Sequence, residues 1–512
     1  MPIYTTALLH DYQPPRRLCD VLYQPLETKI DQSLLIPDTN GSEPSNYNEE
    51  ILKQSYAPRA FSGLYSKVGF NIGPTLLSWM VDNDPVVAKK IIESDKISQE
   101  KFEGHGNAVA QASWNHVILP LASEKDIRTQ IRWGIKSFIN AFGRYPEGVW
   151  LPEAAVNYKV LEALSDQNIK FVILSPFQAS KIKPIHENNW WNVNGGKIDP
   201  SRAYKIFIPN TTKSISAFFY DKEISPDISF PESRGSKIYQ SSNEFVNRLK
   251  SAADWRRQGN QLIHFATDGE TFGHHHKDVV GIVGIVDGAY DLIDAKAIDG
   301  IELMNYGLFL EKNPPTSEVQ IFDNTAWSCG HGLGRWGEEK NKACTCPNVF
   351  NSDWRVQLRQ AFDFLKGNVD NLFEDLGSNY LNDPWEARDD YISVVLGKKP
   401  FDRFLQEYGK DNLSYTDVEA VHKLLEMEKF SMLMYTSCAW FFNSVNEITS
   451  YTSLIAASSA LELYKDLTQG HNTEVEKMFM EMLHYVQYGS HDAFNNFENA
   501  SNLVKTSQYE AV

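Results

Sequence analysis

The sequence predicts an α/β fold of barrel type followed by a helical region, and three observations carry this. Over the first 350 residues, short apolar runs alternate with helical patterns, the mark of a parallel sheet. Two of those runs, Glu147-Gly-Val-Trp-Leu-Pro-Glu153 and Leu262-Ile-His-Phe-Ala-Thr-Asp268, end in a carboxylate, and in barrel-type proteins strand tips carry the catalytic residues. Near residue 350 the strand signal stops. Trp354, Leu358, Leu365, Val369, Leu372 and Leu376 then form a helical stripe. The expected division is a catalytic barrel over 1–350 and a helical region over 351–512 that packs on it.

The elements follow in order. Residues 4–9 read as a first strand, halted by the prolines of His10-Asp-Tyr-Gln-Pro-Pro-Arg16. Residues 27–60, rich in Asn, Ser, Asp and Pro, read as a long loop. Val68–Ile72 is a strand, and Gly73-Pro74 opens a helix where proline is tolerated. A helical pattern follows Gly104-His-Gly-Asn107 to about Leu121. Ser123-Glu-Lys-Asp126 has capping-box spacing and starts a helix that stops at Gly143. Beyond Glu153 come a helix over 154–167, a strand over 171–174 and two strands over 204–209 and 214–220 suited to a hairpin. Residues 221–240 read as loop. Helices over 241–255 and 277–297 flank the Asp268 strand. Long helical patterns run over 416–447 and 452–487, and the polar end after 492 is expected to fray.

Composition narrows the function. A formal charge of −17 argues against a general nucleic-acid or anionic-membrane surface, which needs clustered Lys and Arg. Twelve Trp, 23 Tyr and 28 Phe supply a large core and can supply flat rings for sugars. Five cysteines are too few and too unevenly placed for a disulfide framework. With no long apolar run or leader pattern, a cytoplasmic setting is expected.

Glu153 is held by Pro152 just before it, although an acid at a helix start also simply favours the helix dipole. Asp268-Gly-Glu-Thr-Phe-Gly-His-His-His276 gathers two acids, two glycines and three histidines directly after an apolar strand. Glycines there let backbone approach a ligand closely. Successive histidines diverge, so at most two of His274, His275 and His276 readily share a metal. No catalytic metal is expected. Cys329, His331, Cys344 and Cys346 have the chemistry of a zinc site. Their spacing is not that of a zinc ribbon, and packed thiols are the expectation.

Taken together, these segments resemble glycoside hydrolase family 57, and within it a largely uncharacterised branch of the domain-of-unknown-function type. The matching stretches are His10–Arg16, Phe70-Asn-Ile-Gly-Pro-Thr-Leu-Leu-Ser-Trp79, His105-Gly-Asn-Ala-Val-Ala-Gln-Ala112, Gly148–Glu153 and Ala266–His276. They continue with Trp327-Ser-Cys-Gly-His-Gly332, Asp383-Pro-Trp-Glu-Ala-Arg388 and Met432–Phe442. The resemblance implies a distorted (β/α)7 barrel with a helical region that helps roof the cleft. It implies a retaining mechanism on α-linked glucans without a metal, Glu153 as nucleophile and Asp268 as general acid/base. It places His10, His105 and His274 against the reacting sugar, and Trp150 and Trp440 as sugar platforms. Glu270, two residues from Asp268, is the reserve acid and a further substrate contact. One departure is Leu8, where the branch usually carries a histidine.

The expected activity is a hydrolase or transglycosylase of α-glucans or oligosaccharides, of amylase, branching or 4-α-glucanotransferase type. Two alternatives stand beside it: a metal-dependent polysaccharide deacetylase or mannosidase on a related barrel, using His10, His105, Asp268 and the histidine run, and a non-catalytic glycan-binding protein. Neither a nucleic-acid nor a membrane partner is expected.

Overall fold

The computed structural model describes all residues except 1–2, 27–28, 38–45, 231–238, 240, 257–258, 277–279, 343, 347–351, 472, 490 and 511–512. Two compact units emerge, each assembled from three stretches. The barrel unit takes Met1–Gln13, Tyr47–Ala112 and Phe138–Trp327; the helical unit takes Pro14–Asn46, Ser113–Ser137 and Ser328–Val512. The division is thus interleaved rather than one cut at 350/351.

Among the described residues, seven parallel strands build the barrel: β1 (Ile3–Asp11), β2 (Gly69–Ile72), β3 (Ala110–Gln111), β4 (Gly148–Trp150), β5 (Phe171–Leu174), β6 (Ser214–Phe219) and β7 (Gln261–Asp268). Parallel ladders join β7 to β1, β1 to β2, and β3 through β4 and β5 to β6. Two joins are looser. β2 meets β3 through Phe70 N–H to Asn107 O and Val109 N–H to Phe70 O, and β6 meets β7 through Asp221 N–H to His264 O. Tyr204–Phe207 pairs antiparallel with β6, the expected hairpin.

β1 is buried along its length except at Tyr4, as a strand covered on both faces must be. Side chains alternate between faces, so Leu8 and His10 share one face of β1. Leu8 is fully buried in the interior cluster with Trp150, Phe171, Phe218, Leu262, Ala266 and Tyr306. The departure at Leu8 therefore adds apolar packing beneath His10.

Several expectations change, among them the loop read over 221–240, which holds a short helix at Ile224–Ser229 because Ile224 and Ile228 are buried. Residues 107–121 hold β3 and a short 3-10 turn (Leu119–Leu121) rather than a helix, because Ala110 and Gln111 pair with Val149 and Trp150 of β4. The end of the expected loop 27–60 is helical: Tyr47–Ile51, a π turn over Leu52–Tyr56, and Ala57–Ser62. Ile51, Leu52, Ser55, Tyr56, Arg59 and Ala60 are all buried on it. The polar end forms a helix, Ala493–Glu510, whose Ala493, Phe497, Ala500 and Val504 are buried at helical spacing.

The helical unit is built on Asp353–Tyr380, Pro384–Val395, Tyr415–Leu433, Ile448–Leu467 and Thr473–His484. The pattern over 452–487 breaks where Gln469 and Gly470 take positive φ. The Asp383–Arg388 motif has a clear job here. Asp383 caps its helix by accepting from Trp385 N–H and Glu386 N–H. Buried Arg388 joins Asp126 (2.9 Å) and Glu428 (2.6 Å). Among the described residues, no helix is long and apolar enough to cross a membrane.

Candidate active site

Strand register brings the site together. His10 of β1 lies directly opposite Asp268 of β7 on one side and Asn71 of β2 on the other. All three stand at the C-terminal ends of parallel strands, the rim where barrel chemistry takes place. Glu153 stands three residues past β4 on the same rim, in a 3-10 turn over Pro152–Ala154.

Glu153 sits in the left-handed region (φ 57°, ψ 20°), and Ala154 follows at φ 48°. Neither is glycine, so each costs about 1–3 kcal/mol of backbone strain. Trp327 holds this turn. Its Nε1–H donates to Glu153 Oε2 at 3.0 Å and its backbone N–H to Glu153 O at 2.9 Å. Trp327 also packs edge-on against Trp150, with centroids 4.8 Å apart.

The Asp268 carboxyl is pushed well above the usual carboxylate range by burial, then by the charges of Glu270, Glu153 and Asp11. The Glu153 carboxylate is thus close enough to act on it. Glu270 is pushed up to about 7, chiefly by burial and by Asp11. Its Oε1 receives Tyr56 O–H, Tyr12 N–H (3.3 Å) and Gln13 Nε2–H (3.4 Å), and only 5% of the residue is exposed. Glu270 is thus a buried neighbour of Asp268, with Oε1 engaged by Tyr56, Tyr12 and Gln13.

Beneath Glu270 lies Asp11, fully buried and held by Arg59 Nη2 (2.8 Å) and Tyr65 O–H (2.8 Å). Gly269 is required above it, since a Cβ there would meet Asp11 Oδ1 at 1.7 Å. Tyr220, pushed up to about 12 by burial and the Asp268 charge, packs edge-on to Trp327 at 6.3 Å.

His10 is buried, and burial depresses its imidazole to about 4, so it is neutral at pH 7. Asn71 Nδ2 donates to Val109 O (3.1 Å), which leaves Asn71 Oδ1 to accept from His10 Nδ1–H (2.8 Å). The network thereby assigns the tautomer and makes His10 Nε2 an acceptor. Trp150 is fully buried between His10 (5.4 Å) and Trp327. With both neighbours on its ring it cannot serve as a flat platform. Its Nε1–H has no acceptor among the described residues. His274 Nδ1 lies 2.7 Å from Gln54 Oε1 on the same rim.

Two expected contacts are not assembled with this site. His105 precedes β3 and bonds Glu147 (2.9 Å), which precedes β4, while Lys170, just before β5, bonds the same carboxylate. His105 therefore belongs to the N-terminal rim, the end of the barrel opposite the carboxylates. Trp440 is fully buried in the helical unit, with its Nε1–H on Arg355 O (2.9 Å) and Tyr435 stacked beside it at 6.2 Å. No ring face is left there for a sugar.

Residues 72–321 match the family described as Glycosyl hydrolase family 57. This barrel belongs to glycosyl hydrolase family 57. The chain is accordingly an enzyme acting on glycans. Residues 350–507 match the Domain of unknown function (DUF3536). Among solved structures, the chain is similar to an exo-type maltose-forming amylase from Pyrococcus sp. ST04 (TM-score 0.69, 14% identity, 98% of this chain and 88% of that one). It is also similar to a GH57-type branching enzyme from Pyrococcus horikoshii (TM-score 0.54, 13% identity, 99% and 96%). A third is an α-amylase from Thermotoga maritima (TM-score 0.53, 12% identity, 97% and 99%). At these identities the likeness concerns the fold. No curated protein sequence matches.

Tyr56, Arg59, Asn71, Tyr220 and Trp327 bond or pack against the candidate residues without having been singled out from the sequence. Trp327 had a signal, a tryptophan opening the Trp327–Gly332 motif.

Proposed function

We propose that this enzyme cleaves or transfers α-linked glucosyl units with retention, by double displacement between Glu153 and Asp268. Glu153 Oε attacks the anomeric carbon while protonated Asp268 gives its proton to the leaving glycosidic oxygen. A β-glycosyl ester on Glu153 forms. Ionised Asp268 then takes a proton from water or from an acceptor sugar hydroxyl, which displaces the ester and restores the α configuration.

The observation that carries this reading is the asymmetry of the two carboxyls. Asp268 is crowded by Glu270, Asp11 and Glu153, which favours its acid form. Glu153 receives the Trp327 indole N–H, which favours a carboxylate. His10, buried and neutral, stands opposite Asp268 on the same rim. The named activities of the three similar structures support α-glucan as the substrate class.

The metal-dependent alternative finds less support, because its histidines do not converge. His10 bonds Asn71, His105 bonds Glu147 and His274 bonds Gln54.

The test is product analysis on amylose, glycogen and maltooligosaccharides beside Glu153→Gln and Asp268→Asn. Shortened, elongated or branched chains from the parent, absent in both variants, are expected. Unaltered glucans with the parent, or equal products from the variants, overturn the proposal.

A further inference from the structure

Cys329, His331, Cys344 and Cys346 take no part in the carboxylate chemistry. In the helical unit their ligand atoms all lie within 4.8 Å of one another. Cys329 Sγ is 3.4 Å from Cys344 Sγ, and Cys346 Sγ is 3.5 Å from His331 Nδ1. A tetrahedral zinc with bonds of about 2.3 Å to sulfur and about 2.0 Å to nitrogen has S···S edges of about 3.8 Å and S···N edges of about 3.5 Å. The widest separation exceeds that S···S edge by about 1 Å, a contraction that side-chain rotation supplies. We propose that these four residues bind one zinc ion as a closed structural site.

Charge gives an independent reason. Arg355 is fully buried, and among the described residues the charges that act on it come from Cys344, Cys329, Cys346 and Arg335 rather than from a carboxylate. Its Nη1 donates to Cys346 O (2.6 Å) and its Nη2 to Phe442 O (2.9 Å). An uncompensated buried cation costs several kcal/mol. Three thiolates around a dication carry a net charge of −1, which is the missing counter-charge. A backbone amide also reaches the cluster: Cys346 N–H points at Cys344 Sγ (3.4 Å).

The same geometry explains Gly330-His-Gly-Leu-Gly334. A Cβ on Gly334 would sit 2.7 Å from Cys344 Cβ and 2.4 Å from Asn341 O, so only glycine lets the two halves of the loop meet. Cys329 and Cys344 are buried while His331 is exposed, so the ion enters from the histidine side. Four protein ligands leave no open position, which makes the metal a clamp rather than a catalyst.

Purified full-length protein, kept reduced and free of chelator, is assayed for metal by mass spectrometry. About one zinc per chain is expected, lost in Cys344→Ser and in His331→Ala but retained in Cys19→Ser and Cys438→Ser. Should Cys344→Ser fail to fold, the parent is stripped with chelator and titrated with cobalt(II). A thiolate-to-cobalt charge-transfer band with tetrahedral d–d intensity is then expected at one equivalent. Parent protein that holds no zinc and gives no such band overturns the proposal, as does a Cys329–Cys344 disulfide in freshly prepared protein.

Discussion

The indole N–H of Trp327 donates to Glu153 Oε2 at 3.0 Å across 174 residues of sequence. The bond orients the carboxylate and disperses its charge. Trp327→Phe keeps most of the ring packing on Trp150 and removes the donor. Loss of a hydrogen bond to a charged group is worth about 1.5–3 kcal/mol, so kcat is expected to fall roughly 10- to 100-fold. Steady-state kinetics with a melting curve alongside checks this; a drop in Tm with unchanged kcat would make Trp327 a packing residue only.

Small nucleophiles separate the roles of the two acids. With an activated α-glucosyl substrate and azide, Glu153→Gly is expected to yield a β-glycosyl azide, because azide attacks in place of the lost carboxylate. Asp268→Ala is expected to yield the α-glycosyl azide through the intact ester on Glu153. Product stereochemistry by NMR decides it, and exchanged anomers would exchange the assignments.

Glu270 sets a pH dependence of stability. Its folded pKa is about 7 against an ordinary 4.5, so the fold favours the protonated form. The stability this contributes is full below about pH 4.5 and is lost as pH rises through about 7, a loss on the order of 3 kcal/mol. Asp268, also raised, acts in the same direction. Glu270→Gln keeps the acceptor oxygen for Tyr56, Tyr12 and Gln13 without the charge. Urea unfolding between pH 5 and pH 8 is expected to show a flatter profile for the variant; parallel profiles would refute the shift.

The same substitution reaches the chemistry. In the proposed mechanism Asp268 acts in its protonated form, so kcat is expected to fall along an alkaline limb set by Asp268. Removing the Glu270 charge makes Asp268 easier to ionise. The limb is expected to move to lower pH by roughly 1 pH unit in Glu270→Gln. A pH–rate profile that keeps its limb would show that Glu270 does not govern Asp268.

Arg388 tests the helical unit. It joins two buried carboxylates, Asp126 and Glu428, which Lys366 also approaches at 3.3 Å. Arg388→Met leaves surplus negative charge in the interior, an expected loss of about 3–5 kcal/mol. Denaturant midpoints measure it, and a change below 1 kcal/mol would mean the network is solvent-screened.

The two candidate carboxylates stood out in the sequence because β7 is an apolar run that ends in Asp268 and Glu153 follows the apolar run of β4 by three residues. β3 was not legible. It has two residues, and their small apolar neighbours fit a helix as well as a strand until Ala110 finds Val149. His105 was misplaced for the same reason: five residues before a two-residue strand, it falls at the opposite end of the barrel. The helical turns holding Tyr56 and Arg59 were hidden by a polar composition, since these side chains face buried acids rather than oil. Trp440 carried a family motif but no sign of its burial. The cysteine cluster was ambiguous because linear spacing does not reveal that Gly334 lets the chain double back.

The pairing of β1 with β7 has a consequence for how the protein is made. Ile3 faces Gln261, a separation of 261 − 3 = 258 residues. At translation rates of about 5–20 residues per second, that partner emerges roughly 13–50 seconds after Ile3. During that interval β2 can cover part of one edge of β1, while the other edge stays unpaired. The nascent chain therefore exposes an apolar strand edge on the timescale at which holdase chaperones act, and codon usage upstream of residue 261 becomes a lever on yield.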